Sequence, residues 1–396
     1  MNFVFVSPHF PDSYWRFCQA LKNNGVNVLG IVEGNDESLS YQLKNALTAW
    51  YCVKDLHNFD EKVNACRYFE GRFGKLDFIE SNNEFWLEDD ARLRTIFDVT
   101  TGPKEDEIAF FKFKSVMKED YAKAGIKTAR YHLFKNLDEA LEFAHEVGYP
   151  IVIKPDNGVG AAATFKVRND QELIDAAPRL NDTVYIMEEF IDGDLISFDG
   201  VCDSQGNVVY PTHHVFPTPI MDIVNEWRDV MYYTAKDIPA DLMKAGQKVL
   251  KAFGAKSRFY HLEFFRLRHQ KKGLGKKGDL IGLEVNMRVP GGYTPDMINF
   301  SYSVDIYQIW ADVMAFDKQV HEYEYPKHFC CYIGRRYNVN YEYSIEGLLQ
   351  KHQGTLKWAA DMPEGLSRAM GNYFIMANFD NLEDLLAFSD DALKRA

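Results

Sequence analysis

Apolar runs of strand length recur along this chain and alternate with stretches of helical period. Residues 2–6, 26–32, 49–53 and 76–80 read as strands, separated by helical patterns such as 14–23 and 59–73. Strands alternating with helices imply a doubly wound parallel sheet over residues 1–102, ended by the Gly102-Pro103 break. Helical patterns follow at 104–124, 137–147, 239–253 and 304–316, and strand patterns at 128–134, 151–155, 183–187 and 259–267. The end of the chain, 320–396, reads as a small α+β part with strands near 329–334 and 372–379 and helices over 344–352 and 382–394. The fold class is therefore mixed α/β and α+β, in several units, as 396 residues require.

One strand breaks the apolar rule in an ordered way. Residues 280–292 read LIGLEVNMRVPGG, placing Glu284, Asn286 and Arg288 on alternate positions and so on one face. Two oxygen donors followed by a guanidinium suit a hard divalent cation and the anionic oxygens it holds. An amphipathic edge strand with a solvated face explains the same pattern, so the decision rests on the rest of the chain.

Composition narrows the classes. Lys and Arg number 45 against 58 Asp and Glu, a net charge of −13 that disfavours nonspecific binding to nucleic acid or anionic membranes. The six cysteines form no Cys-x-x-Cys pair and are expected as buried thiols in a reducing compartment. With neither a signal-like start nor an apolar run of spanning length, a cytoplasmic location is expected.

Several segments carry candidate chemistry. Ser81-Asn82-Asn83-Glu84 follows the fourth strand where ligands of open α/β sheets sit, which makes Glu84 a candidate; a helix N-cap cluster fits equally well. Ser7-Pro8-His9-Phe10-Pro11 lacks dinucleotide-binding glycines. Lys112, Lys114 and Lys118 crowd one helical stretch, and a solvated face is the expectation for Lys112. Lys154 ends an apolar run and suggests a nearby anion. Directly after it, residues 156–164 (DNGVGAAAT) are small enough for backbone amides to approach phosphate, without the Walker ending. Glu188-Glu189-Phe190-Ile191-Asp192-Gly193-Asp194 reads as a hinge or as a polar turn. In strand 259–267, Glu263 shares a face with His261 and needs a partner there. The basic segment 268–277 is expected to be a solvent-exposed hairpin. Residues 213–228, with His213, His214, Glu226 and Arg228, mix polar side chains with prolines.

The order of these signals, Lys114, the 151–155 strand, the small-residue loop, MEEFIDG, the Glu263 strand and LEVNMRVPGG, resembles the ATP-grasp superfamily. Within it, the NNE and RVPGGYTPDM segments are most similar to carboxylate-amine ligases, amino-acid ligases among them. The resemblance implies a preceding domain over 1–102, a small lid-bearing subdomain over 103–187 and a large subdomain over 188–319. It implies that Lys114 and Lys154 hold ATP phosphates, that the loop with Gly158, Gly160 and Ala161 closes over them, and that Glu188, Glu189, Phe190 and Ile191 bind adenine with Asp194 at the ribose. Glu263, Glu284 and Asn286 would hold Mg2+, or Mn2+ in its place. Lys154 and Arg288 would act on the reacting groups, while Glu84, Arg288, Gly291, Gly292, His214 and Glu226 would shape the substrate site. The implied reaction joins a carboxylate and an amine, amino acids foremost, through an acyl phosphate. A homodimer is the implied assembly, and neither nucleic acid nor membrane is an implied partner. A carboxylase-like enzyme activating bicarbonate and a noncatalytic nucleotide-binding module are the competing readings.

Overall fold

A computed structural model describes residues 1–158, 164–180, 182–218, 223, 227–323 and 326–396. The first strands, β1 (Asn2–Val6), β2 (Asn27–Glu33), β3 (Ala49–Val53) and β4 (Phe78–Glu80), form a parallel sheet in the order β3-β2-β1-β4. The sheet is apolar on both faces because helices cover both, as parallel pairing requires. The expected helix over 104–124 is instead a 3-10 turn at Ile108–Phe111 followed by helix Lys114–Lys123.

A second sheet contains β5 (Tyr131–Leu133), β6 (Ile151–Pro155), β7 (Phe165–Val167) and β8 (Tyr185–Glu189), in the order β5-β8-β6-β7. Helices Leu137–Val147 and Asp170–Ala176 cover it, with Phe143, Ala144 and Leu173 buried against Ile151, Ile153 and Met187.

The largest sheet has eight strands among the described residues. They are β9 (Gly193–Cys202), β10 (Val208–Phe216), β11 (Val230–Thr234), β12 (Arg258–Leu267), β13 (Leu280–Asn286), β14 (Phe329–Arg335), β15 (Leu356–Asp361) and β16 (Tyr373–Phe379), ordered β13-β12-β9-β10-β11-β14-β16-β15. The last three strands belong to residues 320–396, so backbone pairing continues the sheet through the stretch read from sequence as a separate small part. The helix Thr294–Tyr302 and the pair β15 and Glu364–Met370 are additions to the sequence reading.

One side of this sheet buries Phe198, Tyr260, Leu262, Phe264 and Val285 under helices Lys114–Lys123 and Ala240–Ala252. The other side carries the polar residues discussed below. Helix Ile306–Phe316 joins the first domain to the rest: Trp310 packs edge-on against Phe3, Phe5 and Phe17 and stacks on Phe259 of β12 at 6.1 Å. The six cysteines are free thiols, five of them buried. No helix among the described residues is long and apolar enough to cross a membrane.

Candidate functional site

The sheet registers place the site in rows. Glu284, Glu263, Ser197, His214 and Thr234 lie side by side across β13, β12, β9, β10 and β11; Asn286, His261, Asp199 and Thr212 form the next row. Residues in register on neighbouring strands share a face, so these rows make a polar floor. Phe265, Leu195, Phe216 and Tyr232 continue it on the far side. Above the floor lies a cavity of about 610 Å³, walled by the first domain through Tyr14, Asn82 and Glu84 and by the small sheet through Lys154 and Glu188.

A bulge shapes the oxygen-bearing end. Glu263 pairs with Glu284 but Phe264 pairs with Gly282, leaving Leu283 as the extra residue. Leu283 therefore lines the cavity together with Glu284, although strict alternation sends it to the core. Gly282 is required there because a Cβ would stand 2.4 Å from the Tyr121 ring. The Tyr121 hydroxyl donates to the Glu284 carbonyl at 3.0 Å and the Glu263 carbonyl at 3.2 Å, holding the two strands in place.

Two carboxylates directly opposite each other repel. Burial first, and Glu263 as well, push the Glu284 carboxyl upward, against the pull of Lys114 at 3.5 Å. The Asn286 side-chain oxygen is buried without a hydrogen-bond partner among the described residues. A desolvated carboxylate pair beside an unpaired amide oxygen fits a hard divalent cation. No group of three His, Cys, Asp or Glu among the described residues is arranged to hold a metal. The donor set is thus two carboxylates and an amide, with room for oxygens from a ligand.

The lysines are the clearest correction to the sequence reading. Lys112 is buried and donates to the Glu84 carbonyl at 3.3 Å, and Lys118 is buried too; neither belongs to a solvated face. Glu188 sits between Lys118 at 2.6 Å and Lys154 at 2.7 Å. Burial alone would raise its carboxyl, but the two ammonium groups hold it at about 2. Burial and the Lys154 charge push Lys118 down against the pull of Glu188, whereas Lys154 is raised by Glu188 and Glu284 despite its own burial. Lys114 reaches the Gly158 carbonyl at 2.9 Å, and its helix is tied to β6 by Ser115, which donates twice to Asp156. Gly160 and Ala161 lie outside the described residues.

The hinge 188–194 divides differently from expectation. The Glu188 side chain faces lysines, and Glu189 is bound by Arg130 at 2.9 Å and Lys271 at 3.4 Å. Both nonetheless line the cavity with Phe190 and Ile191, and Lys166 lies 3.9 Å above the Phe190 ring. Asp194 pairs with Arg268 at 2.7 Å and is not in the cavity lining, while Asp192 is. The hairpin read as a free basic loop docks on this hinge: Lys271 donates to the Phe190 carbonyl, and Arg268 lines the cavity.

At the other end, Arg288 donates through Nε and Nη2 to one Glu84 oxygen at 3.1 and 2.9 Å. This pair joins the first domain to the segment after β13. The two accounts of residues 81–84 divide by residue: Asn83 caps the turn by accepting from Phe85, and Glu84 faces the cavity. Gly291 has open space where a Cβ would stand; Gly292, at φ +63°, lies under the Met370 tip. His214 lines the cavity, and Glu226 lies outside the described residues.

Asp199 links the rows. It accepts from His214 Nδ1 at 2.6 Å and from His261 Nδ1, and Ser197 also donates to it. Burial opposes both charges, yet Asp199 raises His261 to about 10, with Glu263 at 3.4 Å adding to the effect. Sequence reasoning missed Asp199 and Lys118 as site residues. An Asp inside the apolar run LISFDGV and a lysine four positions after Lys114 were the available signals. Phe216, Tyr232 and Lys166 gave none, since no motif singles them out from their neighbours.

Comparison with known proteins converges on this architecture. The ATP-grasp domain family model matches residues 147–295. An L-arginine-specific L-amino acid ligase of Bacillus subtilis is 22% identical over 60% of this chain and 57% of its own length. Biotin carboxylase 1 of Bacillus subtilis (strain 168) is 25% identical over 49% of this chain and 46% of its own. The chain thus spans about half the length of these relatives. The crystal structure of an L-amino acid ligase from Bacillus licheniformis superposes with a TM-score of 0.71 at 16% identity, covering 100% of this chain and 98% of that one, a likeness of fold.

Proposed function

With residues 147–295 forming an ATP-grasp domain, we propose that the protein is an ATP-dependent carboxylate-amine ligase. It would make an amide or peptide bond through an acyl phosphate and release ADP and phosphate. The observation that carries this reading is the continuity of one cavity from the carboxylates and lysines at Glu263, Glu284, Lys114 and Lys154 to Arg288 and an apolar wall of Phe216, Tyr232 and Met370.

A carboxylate and an amine do not condense in water because the leaving oxygen is too basic; transfer of a phosphoryl group to the carboxylate makes that oxygen a good leaving group. In our reading the γ-phosphate lies against Lys114 and Lys154, whose ammonium groups offset the charge of the phosphates. Glu263, Glu284 and Asn286 would hold Mg2+, which would supply further neutralisation of phosphate charge. Arg288 has donors left over from Glu84 to orient the carboxylate that attacks phosphorus. Cavity walls come from all three structural units, which limits the directions from which water can reach an acyl phosphate.

Bicarbonate activation uses the same first step, but bicarbonate has no apolar surface to set against Phe216, Tyr232 and Met370. The test is phosphate release from ATP and Mg2+ across a matrix of amino acids, other carboxylates, amines and bicarbonate. Stimulation that needs a carboxylate together with an amine is the expected outcome. Stimulation by bicarbonate alone, or none, overturns the reading. In the same assay Arg288→Ala should lose product while fluorescent-nucleotide binding is retained; full product formation removes Arg288 from its role.

A further inference from the structure

An amine substrate is an ammonium ion near pH 7 and cannot attack a carbonyl until it loses a proton. The ligase reading therefore needs a base at the amine, and among the described residues the carboxylates around the cavity are otherwise engaged. Glu84 is bound by Arg288, Glu188 by two lysines, and Glu189 by Arg130 and Lys271. Glu263 and Glu284 make the cation site. Asp192 pairs with Arg268 at 3.5 Å. His261 has both ring nitrogens committed, one to Asp199 and one to Glu263.

His214 differs. Its side chain is fully buried, it lines the cavity, and its Nε2 has no hydrogen-bond partner among the described residues. The tautomer follows from its other nitrogen. Asp199 lies well below the usual carboxylate range because His261 and His214 outweigh the effect of burial, so it is ionised and can only accept. The proton of a neutral His214 therefore sits on Nδ1, 2.6 Å from Asp199, and the lone pair is on Nε2. Two strand spacings separate His214 from Glu263, about 10 Å, enough to fit a transferred phosphate and an acyl group between the cation site and the base.

Resting on the ligase reading, we propose that His214, oriented by Asp199, is the general base that deprotonates the amine substrate. The ammonium gives one proton to Nε2, and the freed lone pair forms the C–N bond to the acyl carbon. The C–O bond to phosphate then breaks. The second nitrogen proton leaves with the departing phosphate, and His214 returns its proton to solvent as product leaves. The groups facing His214 are Asp199 on β9 with His261 behind it and the Phe216 and Tyr232 rings at 6.5 Å, while His213, next to it on β10, lies on the opposite face in register with Phe198.

Hydroxylamine separates this role from the rest of the reaction, because it is an amine already neutral near pH 7 and traps acyl phosphates as hydroxamates. Wild type is assayed with ATP, Mg2+, hydroxylamine and each of the twenty amino acids as carboxylate. The productive one is then paired with amino acids as amines, in wild type and in His214→Asn, with folding checked by thermal unfolding. The expected result is that His214→Asn forms hydroxamate within a few-fold of wild type but loses about 100-fold in amide formation at pH 7. The deficit should shrink as rising pH deprotonates the amine in solution. Amide formation at the wild-type rate overturns the proposal. So does equal loss of both products, which marks a structural role. Absence of hydroxamate from wild type with every amino acid overturns the amino-acid ligase reading itself, and the proposal with it.

Discussion

The two ends of the cavity are built on opposite principles. At the end near the hinge, buried charges are matched one against another: Glu188 between Lys118 and Lys154, Glu284 against Lys114, Glu189 against Arg130 and Lys271. At the other end, Phe216, Tyr232, Val230, Leu366 and Met370 present apolar surface around the Arg288–Glu84 pair and the His214 Nε2, which has no partner among the described residues. Ionic groups out of water need fixed partners, so the first end tolerates few changes. Apolar walls are set by volume, so the second end can be retuned by substitution.

Glu188→Gln should show the contrast most strongly. Removing the anion leaves two buried ammonium groups facing each other and should cost about 3–5 kcal/mol of stability in urea denaturation; a change below 1 kcal/mol would mean that water reaches the pair. Glu284→Gln keeps the shape and removes one cation-binding charge. ATP turnover should fall about 100-fold or more, while the unfolding midpoint moves less than in Glu188→Gln because relief of the repulsion from Glu263 offsets the lost Lys114 pair. Gly282→Ala forces a methyl into the Tyr121 ring and should destabilise by about 1–3 kcal/mol. On the apolar side, Phe216→Ala should raise KM for an apolar substrate about tenfold and leave KM for ATP unchanged. Equal shifts in both would show that the two ends are not independent. The acid response belongs with the first of these variants. Because the Glu188 carboxyl is depressed to about 2 in the folded protein, its stabilising effect is complete above its ordinary value of 4.5 and is lost as pH falls towards 2. Glu188→Gln should remove that component from the pH dependence of stability.

The charged end was the more legible in sequence. Glu263, Glu284 and Asn286 could be placed on one face by counting in twos, and the structure brings them together on β12 and β13. Counting fails where geometry departs from period: the bulge at Leu283 was invisible, and the break before Lys114 hid a helix start inside a continuous amphipathic pattern. Charge runs misled for a different reason. Lys112 and Lys271 read as solvated because their partners, the Glu84 carbonyl and the Phe190 carbonyl, lie far away in sequence. The apolar end was silent, since a phenylalanine on a strand looks the same whether it faces a core or a substrate.

Helix Lys114–Lys123 touches both of the sheets that bound the cavity. At its start, Lys114 and Ser115 are bonded to Asp156 at the end of β6; seven residues on, Tyr121 grips the carbonyls of β12 and β13. The small sheet is thus joined to the large one by a set of contacts and not by the chain alone: the Lys114–Asp156 bond, the Lys118–Glu188 ion pair and the docking of Lys271 on Glu189 and Phe190. One short helix therefore acts as a gauge: it sets how far the lysine of one sheet stands from the carboxylates of the other, and a substitution along it is felt in both.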